Sequence, residues 1–133
     1  MKKGHGPRMR RLLIGIGVAP TLLGAVLSVH GQKATERFIP LGQSPGLSQQ
    51  ATTIGEVADA DPRAQTLTVV DQGRRLTVKI TAQTQIWLDR SKLKQTNLTG
   101  SFSDLKNGRR VEVKYLDPET RQTAEWVKVE VAP

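Results

Sequence analysis

The sequence predicts an all-β fold for the C-terminal part of the chain. From Thr53 onward, short runs rich in Val, Ile and Thr alternate with turn residues, which is typical of strands joined by tight connections. Arg75–Ile80 alternates strictly between polar and apolar side chains, which indicates a strand with one buried and one solvated face. Cysteine is absent, so a disulfide framework and a thiolate metal site are excluded as a basis for this fold.

The pattern predicts about five strands after residue 52. They are Thr53–Ala58, Gln65–Val70, Arg75–Ile80, Arg110–Leu116 and Thr123–Val131. Gln85–Leu88 is either an extension of the third strand or a separate one. Asp71-Gln72-Gly73 predicts a tight hairpin, because Gly73 supplies the positive φ that such turns need. Ser103–Gly108 predicts one helical turn, capped by Ser103 and ended by Asn-Gly.

These elements favour a small closed or nearly closed barrel. Five strands in so short a region do not form two large packed sheets, and closure hides the strand edges. The helical turn of Ser103–Gly108 lies before the fourth strand, where five-stranded OB-type barrels place their helix. The leading expectation is therefore a five-stranded OB-like barrel over residues 53–133, and the alternative is a generic antiparallel sandwich.

The order of short motifs along this region resembles a known kind of domain. The motifs are Ile54-Gly55-Glu56-Val57, Leu67-Thr68-Val69, Ser103–Gly108 leading into Arg109-Arg110-Val111-Glu112-Val113, and Ala124-Glu125-Trp126-Val127. This G-x-V, L-x-V, L-x-x-G-x-x-V-x-V and A-x-x-V pattern resembles small exported bacterial OB-like β-barrel domains of unknown function. The resemblance implies a barrel in the cell envelope, and it implies no activity and no catalytic residues.

Residues 1–31 have the composition of an export signal or a membrane anchor. A basic segment, Met1–Arg11, precedes the uncharged apolar run Leu12–Val29. Cleavage is expected before Val29 or before Gln32, which gives a periplasmic or secreted protein. The alternative is an uncleaved single span that holds the domain on the inner membrane. Arg10-Arg11 also fits a twin-arginine signal, although two cations in an ordinary basic head explain it as well.

Residues 32–52 are predicted to be a flexible linker. The segment is rich in Pro, Gly, Gln and Ser and contains no run long enough to form a core. Its one apolar patch contains Phe38, Ile39 and Leu41, and two interpretations remain open. The patch either docks as an extended arm, on this domain or on a partner's sheet edge, or it is incidental in a flexible tether.

No arrangement of residues predicts catalysis, a metal site or a cofactor. Both histidines, His5 and His30, precede the folded region, which disfavours a histidine metal centre and a Ser-His-Asp triad. Asp59 and Asp61 form a D-x-D pair before Pro62, but Ca²⁺ needs more ligands and an Asx turn explains the pair. No phosphate loop, GxGxxG or Gly-x-Ser-x-Gly motif occurs.

The candidate ligand-binding residues are basic, with one aromatic residue. They are Trp126, Lys128, Arg74, Arg75, Arg109 and Arg110. Alternation along the last strand places Trp126 and Lys128 on the outward face, opposite Val127 and Val129. The rival interpretation is that Trp126 covers a barrel end or packs under the arm. Much of the net charge of +8 lies in residues 1–31, so the rest of the chain is only modestly basic.

Together these features predict a non-catalytic, exported binding or accessory module of the cell envelope. The expected partner is an envelope protein or an anionic envelope polymer. The alternative function is OB-type binding of single-stranded nucleic acid or another polyanion through the basic surface. Export and the few aromatic residues disfavour nucleic acid. Membrane contact is expected through residues 12–29 if these are not cleaved.

Overall fold

A computed structural model describes residues 35–133. Their seven strands form one mixed, mostly antiparallel sheet. The spatial order is β3-β2-β1-β6-β7-β4-β5. All neighbouring strands are antiparallel except β4 and β7, which run parallel. The strands are β1 Thr52–Asp61, β2 Thr66–Asp71, β3 Arg74–Lys79, β4 Gln85–Asp89, β5 Leu98–Thr99, β6 Arg110–Tyr115 and β7 Ala124–Glu130.

The inner face of the sheet carries the hydrophobic core. Alternate residues of each long strand are β-branched or otherwise apolar, so their side chains meet on one side of the pleated backbone. The Tyr115 hydroxyl, which is buried with this core, donates to Thr53 Oγ1 at 2.7 Å. The core includes Val57, Leu67, Val69, Val78, Ile80, Val111, Val113, Tyr115, Val127 and Val129.

The all-β prediction is confirmed. Each of the five predicted strands begins within one or two residues of an observed strand. Gln72 and Gly73 join β2 to β3 with φ values of 51° and 82°, as the predicted hairpin requires. The helical turn is a 3-10 turn at Phe102–Asp104. The predicted turn, Ser103–Gly108, therefore began one residue too late and ended four residues too late. The cap of the observed turn is Ser101, whose backbone and side chain both bond Asp104, rather than Ser103.

The prediction of a closed five-stranded barrel is wrong. Gln85–Asp89 is a strand of its own, because the turn in which Thr84 N bonds Thr81 O separates it from β3. This strand pairs in parallel with β7, and the two-residue β5 adds a further edge. The ladder therefore ends at β3 and β5, with one isolated bridge between Lys79 and Thr123. Parallel pairing between distant segments leaves no local signal in a sequence.

The prediction of a flexible linker is also wrong where the structure describes it. Residues 36–51, called the arm below, form consecutive turns rather than an extended strand, with Gln43 N bonding Pro40 O and Ser48 N bonding Ser44 O. Leu41 and Ser44 of the arm are buried. Residues 1–31, the predicted signal or anchor, lie outside the described residues. Within residues 35–133, no helix is long and apolar enough to span a membrane.

Candidate functional site

The outer face of β6, β7 and β4 carries charged residues in register. Glu112 lies opposite Lys128 on the neighbouring strand, and Lys128 lies opposite Trp87. Directly paired residues project from the same face of a sheet, so these side chains form one row beneath the arm. Glu112 and Lys128 are both 0 % exposed. A charge without solvent must be paired or fully hydrogen-bonded, and the arm supplies the missing partners.

Lys128 is held by two side chains of the arm. Its Nζ donates to Glu36 Oε1 at 2.8 Å and to Ser44 Oγ at 3.1 Å. Ser44 Oγ in turn donates to Glu36 Oε1, so the three groups bond one another. The ammonium also lies 4.7 Å from the centre of the Trp126 ring, a cation-π contact. Lys128 therefore joins the last strand to the start of the arm through a charged contact that excludes water.

Glu112 accepts three hydrogen bonds from the arm and from the start of β1. Gly42 N donates to its Oε1 at 2.8 Å, while Ser48 Oγ and Thr52 Oγ1 donate to its Oε2 at 2.7 and 2.8 Å. Hydrogen bonds to an ionised carboxylate are stronger than neutral ones. Both carboxylate oxygens of Glu112 are thus satisfied without a direct cation.

Asp89, at the end of β4, fixes a third point of the arm. Leu41 N donates to its Oδ2 at 2.8 Å and Ser91 N to its Oδ1 at 2.9 Å. Burial by itself raises the pKa of Asp89. The hydrogen bonds from Leu41 and Ser91, aided by the Lys128 charge, outweigh burial and hold the pKa below its ordinary value. Asp89 is therefore ionised at neutral pH although it is buried.

Glu36, Asp89, Glu112 and Lys128 together form what we call the buried charge cluster. It contains three carboxylates and one ammonium, and every carboxylate has at least two hydrogen-bond donors or a cation as partner. Trp87 and Trp126, with ring centres 5.5 Å apart, border the cluster. Its partners come from the arm and the loops beside the sheet, so the cluster fastens the arm to the sheet.

The structure corrects the expected outward position of Trp126 and Lys128. Trp126 is 1 % exposed and Lys128 is 0 % exposed, so neither presents a surface to a ligand in this conformation. The alternation of β7 is as predicted, but the arm covers the face that the sequence assigned to solvent. The rival interpretation, that Trp126 is buried, agrees with the structure.

The four candidate arginines are not brought together into one groove. Pairings across the sheet put Arg75, Val70, Glu56 and Arg110 in one row on the outer face, with the acidic Glu56 between the two arginines. Arg110 Nη1 bonds Glu130 Oε2 at 3.2 Å. The other two arginines are outside this row. Arg74 Nη2 lies 4.0 Å from Asp71 Oδ2, and Arg109 Nη1 donates to the carbonyl oxygen of Asp104.

The apolar patch of the arm divides between the interior and the surface. Leu41 is buried, so it is unavailable to a partner's sheet edge in this conformation. Ile39 is partly buried, and Phe38 is half exposed. Of the interpretations left open, docking on this domain agrees with the structure for Leu41, whose amide bonds Asp89, but the arm forms turns and is not extended.

A shallow apolar groove lies at the far end of the β1–β2 hairpin. It encloses about 450 Å³ and is lined by Ala60, Pro62, Gln65, Phe102, Ser103 and Leu105. None of these lining side chains is ionisable at neutral pH, so the groove provides no acid or base. Among residues 35–133, no three His, Cys, Asp or Glu side chains are grouped as metal ligands would be.

Sequence reasoning missed Glu36, Ser44, Asp89 and Glu112 as parts of a site. A signal for one of them exists: Glu112, like Lys128 opposite it on the neighbouring strand, is a single charge flanked by valines. Charges of opposite sign at matched positions of paired strands indicate a shared polar face. That signal does not reveal that Glu112 and Lys128 are buried, because their burial depends on an arm more than sixty residues away in sequence.

Comparison with known proteins gives one structural neighbour. No family model and no curated protein matches the chain. A solved structure, the crystal structure of Ag(I)CusF, is similar with a TM-score of 0.40 and 15 % sequence identity, covering 59 % of this chain and 93 % of that chain. The resemblance to exported bacterial barrel domains remains an inference from the strand and turn pattern.

We predict that Lys128→Met strongly destabilises the domain. The substitution keeps an unbranched side chain but leaves Glu36 buried with Ser44 and no cation, and breaking a buried ion pair costs about 3–5 kcal/mol. The free energy of unfolding, measured by urea denaturation, should fall by that amount. The double variant Glu36→Gln/Lys128→Met should be more stable than Lys128→Met alone.

Lys92→Met is the matched control for this substitution. Lys92 also forms an ion pair, with Glu130 at 3.1 Å, but its side chain is 56 % exposed. An exposed pair contributes about 0–1 kcal/mol. Equal losses for Lys128→Met and Lys92→Met would show that burial of the Lys128 pair does not matter to stability.

We predict a pH-dependent effect of Asp89→Asn. Because the folded-state pKa of Asp89 is below its ordinary value of 3.8, the charged form stabilises the fold above that pH. This contribution is lost as the pH falls through the lowered pKa. Urea denaturation should therefore show a gap between wild type and Asp89→Asn that is constant near neutral pH and narrows below pH 3.8. A gap that does not change down to pH 2, or that is matched by the exposed Asp59→Asn, contradicts this account.

Proposed function

We propose that this chain is a non-catalytic binding or accessory module that is exported to the cell envelope. The observation that carries the proposal is the use of the buried charge cluster. Its carboxylates and ammonium are satisfied by the arm and by neighbouring backbone, so they hold the fold together and do not face a cleft. An acid or base catalyst needs a reacting group within hydrogen-bond reach, and these groups have none.

The proposed location rests on the N-terminal sequence. A basic segment followed by the apolar run Leu12–Val29 has the order that the export machinery recognises. The domain that follows contains no cysteine, so its stability is independent of the redox state of the compartment. The periplasm, the exterior and the outer side of an inner membrane are all compatible with this domain.

The proposed binding surface is the part of the outer face that the arm leaves open. The arm bonds to β6, β7, β4 and the first residue of β1. On the same face the residues of β2 are half-buried and those of β3, Arg75, Thr77 and Lys79, are exposed. β3 is also an edge strand. An edge strand with a basic outer face suits either an added strand of a partner or an anionic polymer.

The anionic polymer is the second candidate. Arg75 and Arg110 support it because they lie in one row of the outer face, although Glu56 lies between them and Arg110 also pairs with Glu130. Binding of single-stranded nucleic acid has less support. That function uses aromatic side chains as stacking platforms, and both tryptophans are buried beside Lys128. The proposal for a polyanion is therefore electrostatic, with no stacking.

We predict that the natively expressed protein fractionates with the envelope. Intact mass would identify the form: a soluble species beginning at Val29 or Gln32 indicates a cleaved signal, and a full-length membrane species indicates an anchor. Both forms are consistent with export. Recovery of the full-length protein from the cytoplasm would contradict the proposed location.

We predict that any polyanion binding depends steeply on salt and on Arg75 and Arg110. With heparin as the probe, affinity should fall as ionic strength rises, because binding releases counterions. Arg75→Ala/Arg110→Ala should weaken binding and reduce the slope against log salt by up to about one per residue removed. Arg63→Ala/Lys106→Ala removes the same charge elsewhere and should keep the slope. Absence of binding at low salt, or equal effects of the two double variants, excludes this second candidate.

A further inference from the structure

One end of the domain combines exposed apolar side chains with cations. Phe38, near the start of the arm, is 50 % exposed, and Leu98, at the start of β5, is 45 % exposed. Asn97 Nδ2 donates to the carbonyl oxygen of Arg37 at 3.0 Å. Phe38 directly follows Arg37, and Leu98 directly follows Asn97. The hydrogen bond thereby fixes Phe38 and Leu98 at the same end of the sheet.

The charge around these two residues is positive. The loop 90–98 contributes Arg90, Lys92 and Lys94, and the arm contributes Arg37, whose guanidinium lies 4.5 Å from the centre of the Phe38 ring. In the segments 35–38 and 90–98 the one acidic residue is Glu36, which is buried in the charge cluster. Glu130, at the end of β7, pairs with Lys92 at 3.1 Å and also with Arg110 at 3.2 Å, so the patch keeps a net positive charge. We call this surface the basic end patch; its members are Arg37, Phe38, Arg90, Lys92, Lys94 and Leu98.

The basic end patch also lies where the described chain begins. The apolar run ends at Val29, six residues before Thr35. Six residues span at most about 20 Å when fully extended. If Leu12–Val29 occupies a bilayer, the patch therefore lies within about two Debye lengths of the lipid headgroups, since the Debye length is about 10 Å. Cations around exposed apolar side chains are the composition that binds an anionic membrane surface.

We infer that the basic end patch rests on an anionic lipid bilayer, with Phe38 and Leu98 entering the headgroup region and the net positive charge of the patch attracting the lipid charges. This inference rests on the anchored form of the proposed exported module, in which Leu12–Val29 is not cleaved, and it names one partner of that form. The opposite end of the sheet differs: Leu116 is 66 % exposed there, but Asp117 and Glu119 follow it at once. That end therefore has exposed apolar surface with adjacent negative charge.

The absence of native cysteine makes a site-specific test direct. Leu98→Cys and, as matched control, Leu116→Cys each carry one environment-sensitive NBD label on the full 133-residue chain. Both proteins are incorporated into phosphatidylcholine nanodiscs with or without phosphatidylglycerol. We expect a blue shift and a rise of NBD emission at position 98 in the anionic discs, loss of that change in zwitterionic discs, and no change at position 116.

Charge variants in the Leu98→Cys background separate the patch from general basicity. Lys92→Gln/Lys94→Asn should abolish the shift, and Asn suits position 94 because its φ is 57°. Arg63→Gln/Lys106→Gln should leave the shift intact. An equal urea midpoint for the two double variants shows that both are folded.

Three results would overturn the inference: no shift at position 98 in either disc, an equal shift at positions 98 and 116, or an equal shift with and without phosphatidylglycerol. The first would leave a protein partner as the occupant of the patch. Cytoplasmic recovery of the native protein would instead overturn the proposed function, and the nanodisc result would stand apart from it.

Discussion

The buried ion pair between Lys128 and Glu36 is the contact on which the rest of this structure depends. A lysine ammonium at 0 % exposure on the middle of a sheet is tolerable only with a carboxylate and further acceptors in contact. Those acceptors are in the arm, and the arm is held in turn by Glu112 and Asp89. The sheet and the arm therefore require each other, and the folded unit begins before β1.

This arrangement gives the part of the sheet beneath the arm two buried faces with different chemistry. The inner face is an ordinary apolar core of aliphatic residues and a tyrosine, while the outer face beneath the arm is polar, charged and aromatic. Apolar packing is non-directional, whereas hydrogen bonds to a carboxylate fix both distance and direction. The charged face thus specifies one position of the arm, which a chain rich in Gly, Pro and Ser does not adopt by propensity alone.

The same burial decides which residues remain for binding. Trp126 and Lys128 belong to the interior, so recognition by a stacked aromatic is not available at β7. The surfaces left open are the outer face of β2 and β3 and the basic end patch near the start of the chain. Both are electrostatic in character, and they lie at different places on the sheet.

Much of the fold was predictable because strand alternation is local. Leu76, Val78 and Ile80 lie on the inner side as their spacing predicts, and the Gln72-Gly73 turn has the φ values that its sequence requires. The site was not predictable in the same way. Trp126 and Lys128 have the correct phase, but their burial depends on Glu36, Ser44 and Leu41, which are distant in sequence and carry no strand or helix pattern. Likewise, the parallel pairing of β4 with β7 is a long-range contact. For this reason the predicted number of strands and the predicted closure of the barrel were wrong.

Hydrogen exchange of the Leu41 and Gly42 amides tests most directly whether the arm is part of the folded unit. These amides donate to Asp89 and Glu112 across the interface. If the arm and the sheet unfold together, the free energy of opening at both amides equals that of core amides such as Val127 and Val129. Exchange of Leu41 and Gly42 at the rate of an unprotected chain, while the core amides stay protected, would contradict this account and return residues 36–51 to the status of a linker.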